Sequence, residues 1–331
     1  MTDTPLDTNA SNEQGGTQYS IPTQTQKQEW AAQQSALKAG LVLEDDHPDW
    51  SITFKQDCSS YYAEHTQGIK YVGGVDLSFI VSNNEDAIAS LIILSFPSLK
   101  VVYEDHAKVK LTLPYIAGYL AFREVGPLQA LVQNLRTNRP ELEPQVIFVD
   151  GCGILHPRGF GLASHLGLLT GIPTIGCSKN FLVIHGDGDV LGSSPTEIKV
   201  RFRDYLAQNA NTAEGMMLLQ GTVTGKVYGA ALSASTSRVA EGAQNPIYVS
   251  VGHKLSLETA VALVRACSQY RIPEPIRQAD LKSRKEIRKW CEELAKTKTA
   301  RSNHSNNNGQ SSSRSSNSSN NSGSNKETGK R

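Results

Sequence analysis

The sequence lacks several features that mark particular classes of protein. Its five cysteines are scattered and form no C-x-x-C pair, which argues against a disulfide framework and a structural zinc site. The longest apolar stretch, Ala87 to Pro97, is interrupted by serine and is far shorter than the roughly 20 residues of a membrane span. The N-terminal segment lacks the basic start and apolar core of a secretory signal. We therefore expect reduced thiols, no membrane anchor and a location in the cytoplasm and nucleus, with the nucleolus as an option, rather than secretion.

An excess of charge of either sign is also absent. The 331 residues include 33 Lys and Arg against 32 Asp and Glu, a formal net charge of +1. Positive charge is concentrated at the C-terminus, where Thr299 to Arg331 carry five Lys or Arg residues and one Glu. This balance excludes a globally basic nucleic-acid-binding surface and leaves a weak, unspecific attraction at the C-terminal tail.

Two terminal segments contain very few large apolar residues. Residues 1–27 are rich in Thr, Gln, Asn and Ser, and residues 299–331 form a Ser/Asn tract. Neither can bury enough apolar surface to offset the entropy of ordering, so we predict that both are disordered. Residues 28–298 remain for one folded catalytic domain.

The hydrophobic periodicity of this central region predicts an α/β fold. After a helical pattern over Gln28–Lys38, three strands separated by short turns favour an antiparallel meander: Tyr71–Ile80, Ala87–Ser95 and Val101–Leu113. Alternating helices and strands follow: a helix over Gly118–Arg136 broken at Gly126-Pro127, a strand over Gln145–Val149, a helix over Gly161–Thr170 and a strand over Pro173–Cys177. The remaining predicted elements are a hairpin of Met216–Val223 with Val227–Ser233, a strand over Ile247–Val251, and helices over Ser256–Ser268 and Pro275–Ala295. This order predicts a ribonuclease H-like fold, with a mixed central sheet and helices on both faces.

Three acidic residues lie within or beside these predicted elements. Asp76 interrupts an apolar strand pattern, where a carboxylate is costly unless a positive group compensates it. Asp150 would project from the carboxyl end of its strand, although a turn-capping role is an equal alternative. Glu124 on its own fits a solvated helix charge. Together the three can converge at one end of the sheet as oxygen ligands for Mg²⁺ or Mn²⁺, which would activate water for attack on a phosphodiester.

Further candidate residues lie in turns after the predicted strands. His156 precedes a helix N-terminus, where backbone amides favour an anion, although a loop histidine without a role is the commoner case. Lys179 would lie at the same sheet edge as Asp150 and could meet a phosphate. His253 follows another strand and could act near a metal-bound water or a leaving group. His165, in an apolar helix pattern, is interpreted as a buried supporting residue.

A rigid turn with an aromatic tip precedes Glu124. The turn is Pro114-Tyr115-Ile116-Ala117-Gly118. Such a tip either packs into the core or wedges between stacked bases. Because the turn is close to a candidate metal ligand, we favour the wedge.

These residues lie in motifs that resemble the endonuclease V family, whose members act beside inosine. The resembling segments extend over the core from about residue 30 to residue 295, which makes the match far more specific than any single short pattern. They are Gly74–Ser78, Pro114–Glu124, Val149–Gly151, His156–Gly161, His165–Gly167, Gly176–Lys179, Tyr248–His253 and Arg271–Asp280.

The resemblance implies a ribonuclease H-like fold and Mg²⁺-dependent hydrolysis, with Mn²⁺ as a substitute. It places the cut at the second phosphodiester 3′ to inosine and leaves 3′-hydroxyl and 5′-phosphate ends. By position in the motifs, Asp76, Glu124 and Asp150 match the metal-site carboxylates, and His253 matches a histidine near them.

The resemblance also assigns residues that would contact the nucleic acid. Lys179 and His156 match positions near the scissile phosphate, and Tyr115 matches the wedge. An extruded base is read at its edge and stacked on its faces. The pocket for that base would be formed by Gly118, Leu120, Gly153, Leu162 and Ser178.

Two departures from the bacterial pattern bear on the substrate. Ala117 stands where bacterial members have a second proline in the wedge motif, and Ser178 stands where they have alanine before the lysine. The first departure resembles eukaryotic members, which prefer inosine in RNA or at a ribonucleotide. Such a preference requires contacts to a 2′-hydroxyl.

Three hypotheses for the function follow. The leading one is a monomeric, metal-dependent endonuclease that cuts inosine-containing single-stranded RNA, with residual activity on DNA. The second is a DNA repair endonuclease for deoxyinosine. The third is a catalytically silent protein that binds inosine-containing nucleic acid, and it is disfavoured because such a protein has no need for three mutually repelling carboxylates.

Overall fold

The computed structural model describes residues 22–54, 61, 63–81, 83–186, 189–192, 194–209, 215–233 and 245–311. The predictions of disorder for residues 1–21 and 312–331 lie outside this range. Where the structure describes the inner ends of the two terminal segments, it shows helix. The first helix begins at Gln24, where the Thr23 side chain accepts a hydrogen bond from the Gln26 amide, and the last helix ends at Ser311.

Within the described residues the chain forms six α-helices and twelve strands. The helices are α1 (Gln24–Lys38), α2 (Leu120–Asn138), α3 (Leu162–Thr170), α4 (Pro195–Gln208), α5 (Leu257–Ala266) and α6 (Glu274–Ser311). The strands are β1 (Ser51–Phe54), β2 (Ala63–Gln67), β3 (Tyr71–Ile80), β4 (Asn83–Ser95), β5 (Val101–Lys110), β6 (Val146–Asp150), β7 (Thr174–Ser178), β8 (Ile184–Gly186), β9 (Asp189–Leu191), β10 (Met216–Gln220), β11 (Val227–Leu232) and β12 (Ile247–His253).

Eight of these strands form a mixed central sheet in the order β10-β11-β12-β7-β6-β3-β4-β5. Strands β3, β4 and β5 are the predicted antiparallel meander, and β3, β6 and β7 are parallel neighbours. Strand β12 pairs antiparallel with β7, and β11 and β10 continue the sheet. The predicted ribonuclease H-like fold is confirmed.

Helices cover both faces of this sheet, as the sequence predicts. Along β6, Val146 and Phe148 belong to the core cluster formed with α5 and α6. Their neighbours Ile147 and Val149 belong to the cluster formed with α2 and α3. Successive side chains of a strand point to opposite faces, so a central strand that is apolar at every position is buried on both sides.

The structure differs from the sequence predictions in several elements. Helix α2 continues through Gly126 and Pro127 without a break, with Gly126 exposed and Pro127 half-buried. The small sheet of β1 and β2, the ribbon of β8 and β9, and helix α4 were not predicted. No helix in the described part of the chain is long and apolar enough to cross a membrane.

Candidate active site

Two aspartates come together at one edge of the sheet because β3 and β6 run parallel. Val75 pairs with Val149, so the residues that follow, Asp76 and Asp150, are neighbours. Glu124 reaches the same place from the N-terminal part of α2. The three carboxylates share a cavity of about 170 Å³ whose remaining walls are apolar: Val75, Leu77, Leu128, Val149 and Leu162.

This apolar environment makes two of the carboxylates difficult to ionise. Burial raises the pKa of Asp76 to about 7, and the negative charges of Asp150 and Asp280 add to the effect. Burial likewise raises the pKa of Glu124 to about 8, opposed by the charge of Arg123. Burial and like charge both disfavour the ionised form, and a positive ion beside the carboxylates would relieve both.

Lys179 supplies part of the positive charge at this edge. It follows β7, the parallel neighbour of β6, and its Nζ lies 2.6 Å from Asp150 Oδ2. Burial lowers the pKa of Lys179, but the charges of Asp150, Asp280 and Asp76 raise it by more. Lys179 therefore lies where the sequence predicts, beside the carboxylates and partly exposed.

A fourth carboxylate near the cavity was missed by sequence reasoning. Asp280 lies on α6, and its charge raises the pKa of both Asp76 and Lys179. The helix approaches β3 closely: a Cβ atom on Gly74 would lie 2.0 Å from the Pro275 carbonyl oxygen. A glycine inside a strand often marks such an approach, and this was the available signal in the sequence.

Helix α6 also provides a hydroxyl that contacts Asp76. Ser283 is fully buried, and its Oγ lies 3.1 Å from Asp76 Oδ2 and 2.6 Å from Ser78 Oγ. The Ser283 contact lowers the pKa of Asp76 and fixes its orientation. The same oxygen also lies 3.0 Å from the Asp280 carbonyl oxygen, so Ser283 contacts both aspartates and can donate its single hydroxyl hydrogen to either acceptor.

The donor set fits a hard divalent cation. Carboxylate oxygens are the ligands that Mg²⁺ and Mn²⁺ prefer, and burial of several of them is justified when an ion compensates their charge. Among the described residues, however, no three acidic, histidine or cysteine side chains already converge into a complete metal site. The carboxylates thus line an open cavity rather than a closed cage.

The predicted wedge residue is exposed. Tyr115 lies in the segment between β5 and α2, and 66% of its side chain surface is exposed. An aromatic ring with this exposure is free to stack on a base, in line with the prediction. Leu120, the first residue of α2, is partly buried against the core, and Leu162 lines the cavity itself.

His156 occupies a different position from the one predicted. It is buried, its Nε2 lies 3.1 Å from the Gly118 carbonyl, and its Nδ1 accepts a hydrogen bond from the Arg158 amide. Both ring nitrogens therefore contact backbone, so His156 holds the wedge segment in place instead of presenting a free nitrogen to a phosphate.

The prediction that His253 lies near the metal site is wrong. Strand β12 runs antiparallel to β7, so His253 pairs with Thr174 at the start of β7, whereas Asp150 pairs with Cys177 near its end. The two residues consequently lie at opposite edges of the sheet. His253 is buried, and its Nδ1 accepts a hydrogen bond from the Val42 amide at 3.3 Å.

Two predicted base-pocket residues are used by the fold itself. A Cβ atom on Gly153 would lie 1.9 Å from the Val251 carbonyl oxygen, so Gly153 packs closely against the backbone of β12, and its assignment to the pocket stays a prediction. Ser178 donates to the Asn180 carbonyl at 2.6 Å and stabilises the turn that carries Lys179. Gly118 has φ +81° and accepts several hydrogen bonds through its carbonyl.

The order and spacing of these residues match one family. The model of the endonuclease V family matches residues 54–281, a range that contains all four carboxylates of the site. The chain belongs to the endonuclease V family. It is therefore an endonuclease, and the cavity between β3, β6 and α2 is its candidate active site.

Curated and solved members of the endonuclease V family resemble the chain over most of its length. Mouse endonuclease V is 42% identical over 284 residues, which cover 83% of this chain and 74% of the mouse protein. The crystal structure of the catalytic domain of human endonuclease V is 42% identical, with a TM-score of 0.67, and the match covers 82% of this chain and 99% of that one.

A third relative has been solved with nucleic acid. It is endonuclease V of Ciona intestinalis in complex with a 24mer DNA containing an inosine followed by a ribo-adenosine. It is 37% identical, with a TM-score of 0.66, and the match covers 80% of this chain and 99% of that one.

The family match does not include the first helix of this endonuclease V. It begins at residue 54, after α1, and ends at residue 281, inside α6. Helix α1 therefore lies outside the range that the family model matches.

Proposed function

We propose that this endonuclease V hydrolyses inosine-containing single-stranded RNA, with Mg²⁺ as cofactor and Mn²⁺ as a substitute. The proposed cut is at the second phosphodiester 3′ to inosine and leaves 3′-hydroxyl and 5′-phosphate ends. The observation that carries the proposal is that Asp76, Glu124 and Asp150 line one cavity, while the exposed Tyr115 lies in the segment that leads into α2, the helix that carries Glu124.

The preference for RNA is supported by two observations. The Ciona relative was solved with a strand in which a ribonucleotide follows the inosine. This chain also carries Ala117 in the wedge segment where bacterial members have a second proline, a departure that resembles eukaryotic members. Deoxyinosine in DNA is the second candidate substrate, since the rest of the strand in that relative is DNA.

The residues of the site would have different roles in hydrolysis. Asp76, Glu124 and Asp150 would hold the cation, with Asp280 adding negative charge beside Asp76. A bound divalent cation activates water and offsets charge on the phosphodiester. The Lys179 ammonium lies beside Asp150 at the same edge of the sheet, where it would attract a phosphate oxygen.

The raised pKa values couple ion binding to proton release. Glu124, with a pKa of about 8, holds its proton at neutral pH in the metal-free protein. Because only the ionised carboxylate is a good ligand, the proton leaves as the cation binds. We further propose that the protein acts as a monomer, since all four carboxylates belong to one chain, and that it is located in the cytoplasm and nucleus.

The proposal is tested with end-labelled single strands that contain one inosine. The strands are RNA, DNA, and DNA with a ribonucleotide after the inosine, and each is incubated at one salt concentration with Mg²⁺ and then with EDTA, because phosphate binding depends on salt. We expect cutting of the RNA and the hybrid one nucleotide beyond the base, abolished by EDTA. Preferential cutting of the all-DNA strand would support the deoxyinosine alternative, and tight binding without metal-stimulated cutting would support the silent binder.

Removal of the wedge ring gives a second prediction. Tyr115→Ala should lower the cleavage rate at inosine by about tenfold to a hundredfold, since stacking on an aromatic side chain contributes about 1–3 kcal/mol per base. Single-turnover cleavage measures the effect. Tyr205→Ala, which removes a partly exposed tyrosine on α4, is the matched control and should cut at the wild-type rate. An unchanged rate for Tyr115→Ala would contradict the wedge role.

A further inference from the structure

Helix α1 is polar along its length, and the residue that it buries is also polar, a glutamine. Gln34 is 1% exposed and is the buried residue of α1. Its amide Nε2 donates to the carbonyls of Gly118 at 3.3 Å and Phe160 at 3.1 Å. Its Oε1 accepts a hydrogen bond from Arg158 Nε at 2.5 Å. Every polar atom of the side chain is therefore used to connect α1 to segments distant in sequence.

Three side chains converge on the carbonyl of Gly118, the last residue of the wedge turn. Gln34 Nε2, His156 Nε2 and Arg158 Nη2 all contact this oxygen. Gly118 has φ +81°, a conformation that residues with a side chain rarely adopt, so the direction of this carbonyl is set by a backbone turn that only glycine adopts readily. These three contacts with the Gly118 carbonyl oxygen thus hold the C-terminal end of the turn that bears Tyr115.

Gln34 also contacts Arg158, one of the other two donors. It holds Arg158 through Oε1, and Arg158 in turn stacks its guanidinium 4.1 Å from the ring centre of Tyr119, the residue after Gly118. One turn earlier on α1, Trp30 stacks on Phe122 at 5.2 Å between ring centres. Helix α1 consequently supports both the wedge turn and the start of α2, where Glu124 lies.

We propose that Gln34 is a positioning residue for the Tyr115 wedge. The proposal rests on the proposed function, because it assumes that Tyr115 inserts beside the inosine. A ring that separates two stacked bases is pushed back by them, so the turn that carries it must be held by the body of the protein. Gln34 provides that support by tying the Gly118 carbonyl and Arg158 to a helix that the family model does not include.

The experiment follows base unstacking and cleavage separately. An inosine strand carries 2-aminopurine beside the inosine, and its fluorescence rises when the neighbouring bases unstack. Gln34→Ala should lower the fluorescence change and reduce the single-turnover cleavage rate by about tenfold, the usual effect of losing a buried hydrogen-bonding group. Binding of the strand, measured by anisotropy, should change less than threefold by the same reasoning, since phosphate contacts dominate affinity. Gln33→Ala, an exposed neighbour on α1, is the matched control and should behave as wild type.

A double-mutant cycle separates positioning from a general loss of structure. If Gln34 acts through the wedge, Gln34→Ala should cost little more once Tyr115→Ala is present. Effects that multiply fully in the double variant would overturn the proposal. So would a normal fluorescence change in Gln34→Ala. If wild type itself shows no unstacking that depends on Tyr115, the proposed function fails instead.

A second substitution keeps the shape of the side chain. Gln34→Glu retains an acceptor for Arg158 and replaces the amide donor facing Gly118 with a carboxylate oxygen. Gln34→Glu replaces Gln34→Ala in the experiment if circular dichroism shows that Gln34→Ala does not fold. A reduced fluorescence change in a folded Gln34→Glu protein supports the positioning role, and a wild-type fluorescence change and cleavage rate overturn it.

Discussion

Asp76→Asn and Asp150→Asn should each lower the cleavage rate at inosine by about a thousandfold or more. A catalytic cation contributes several kcal/mol to transition-state stabilisation, and an amide in place of either carboxylate removes a charged ligand from the shared cavity. Both substitutions preserve side-chain size, so loss of activity would come from the change of charge and not from a cavity.

Binding should survive the same substitutions. Neither aspartate is expected to attract phosphate, and removing negative charge beside a nucleic acid does not weaken its electrostatic attraction. Single-turnover cleavage and fluorescence anisotropy, measured on the same strand, separate the two effects. Asp204→Asn, on the exposed side of α4, is the control and should cut normally. Cleavage near the wild-type rate by either active-site variant would contradict the assignment of the cavity.

The metal-free protein should lose stability as the pH rises from about 4 to about 8. In the folded state the pKa of Asp76 is raised to about 7 and that of Glu124 to about 8, whereas both groups titrate near 4 in an unfolded chain. Across this interval the folded protein binds protons that the unfolded chain releases, so the free energy of unfolding falls. Above about pH 8 both states are ionised, and this contribution levels off.

Glu124→Gln removes one of these groups and should reduce the pH dependence. We expect the melting temperature of the metal-free variant to exceed that of wild type by about 10 °C at pH 8.5 and to match it closely at pH 4.5. A pKa raised from 4.5 to about 8 corresponds to roughly 5 kcal/mol, and 1 kcal/mol corresponds to roughly 2–4 °C in a domain of this size. Mg²⁺ should raise the melting temperature of wild type more than that of the variant.

Thermal unfolding followed by circular dichroism across this pH range checks the prediction. Glu44→Gln, which neutralises an exposed carboxylate away from the cavity, should leave the wild-type curve unchanged. A wild-type melting temperature that rises between pH 5 and pH 8 in EDTA would show that the buried carboxylates are not destabilised by ionisation.

The parts of the site that follow from strand patterns could be predicted from sequence. A charged residue in the apolar pattern of β3 has few structural explanations, and Asp150 directly follows a strand that is buried on both faces. Parallel pairing of β3 and β6 then brings the two together without any further information. Glu124 required the family resemblance, because an acidic residue in a helix is usually solvated.

Sequence patterns could not predict the directions of the strands or how closely a helix approaches the sheet. His253 follows a strand just as Asp150 does, but β12 is antiparallel to its neighbour, and the pattern of a buried strand is the same in either direction. Asp280 lies in a segment rich in Arg and Lys that is typical of an exposed helix face. Its place beside Asp76 depends on the contact between Gly74 and Pro275, which is a property of packing between distant segments.

The origin of the four carboxylates has a consequence for synthesis of the chain. They come from β3, α2, β6 and α6, at positions 76, 124, 150 and 280, and the last of these is near the end of the family match. Domains fold as their residues emerge during synthesis. A growing chain therefore has the full set of acidic groups in place only after α6 has been synthesised and has packed on β3.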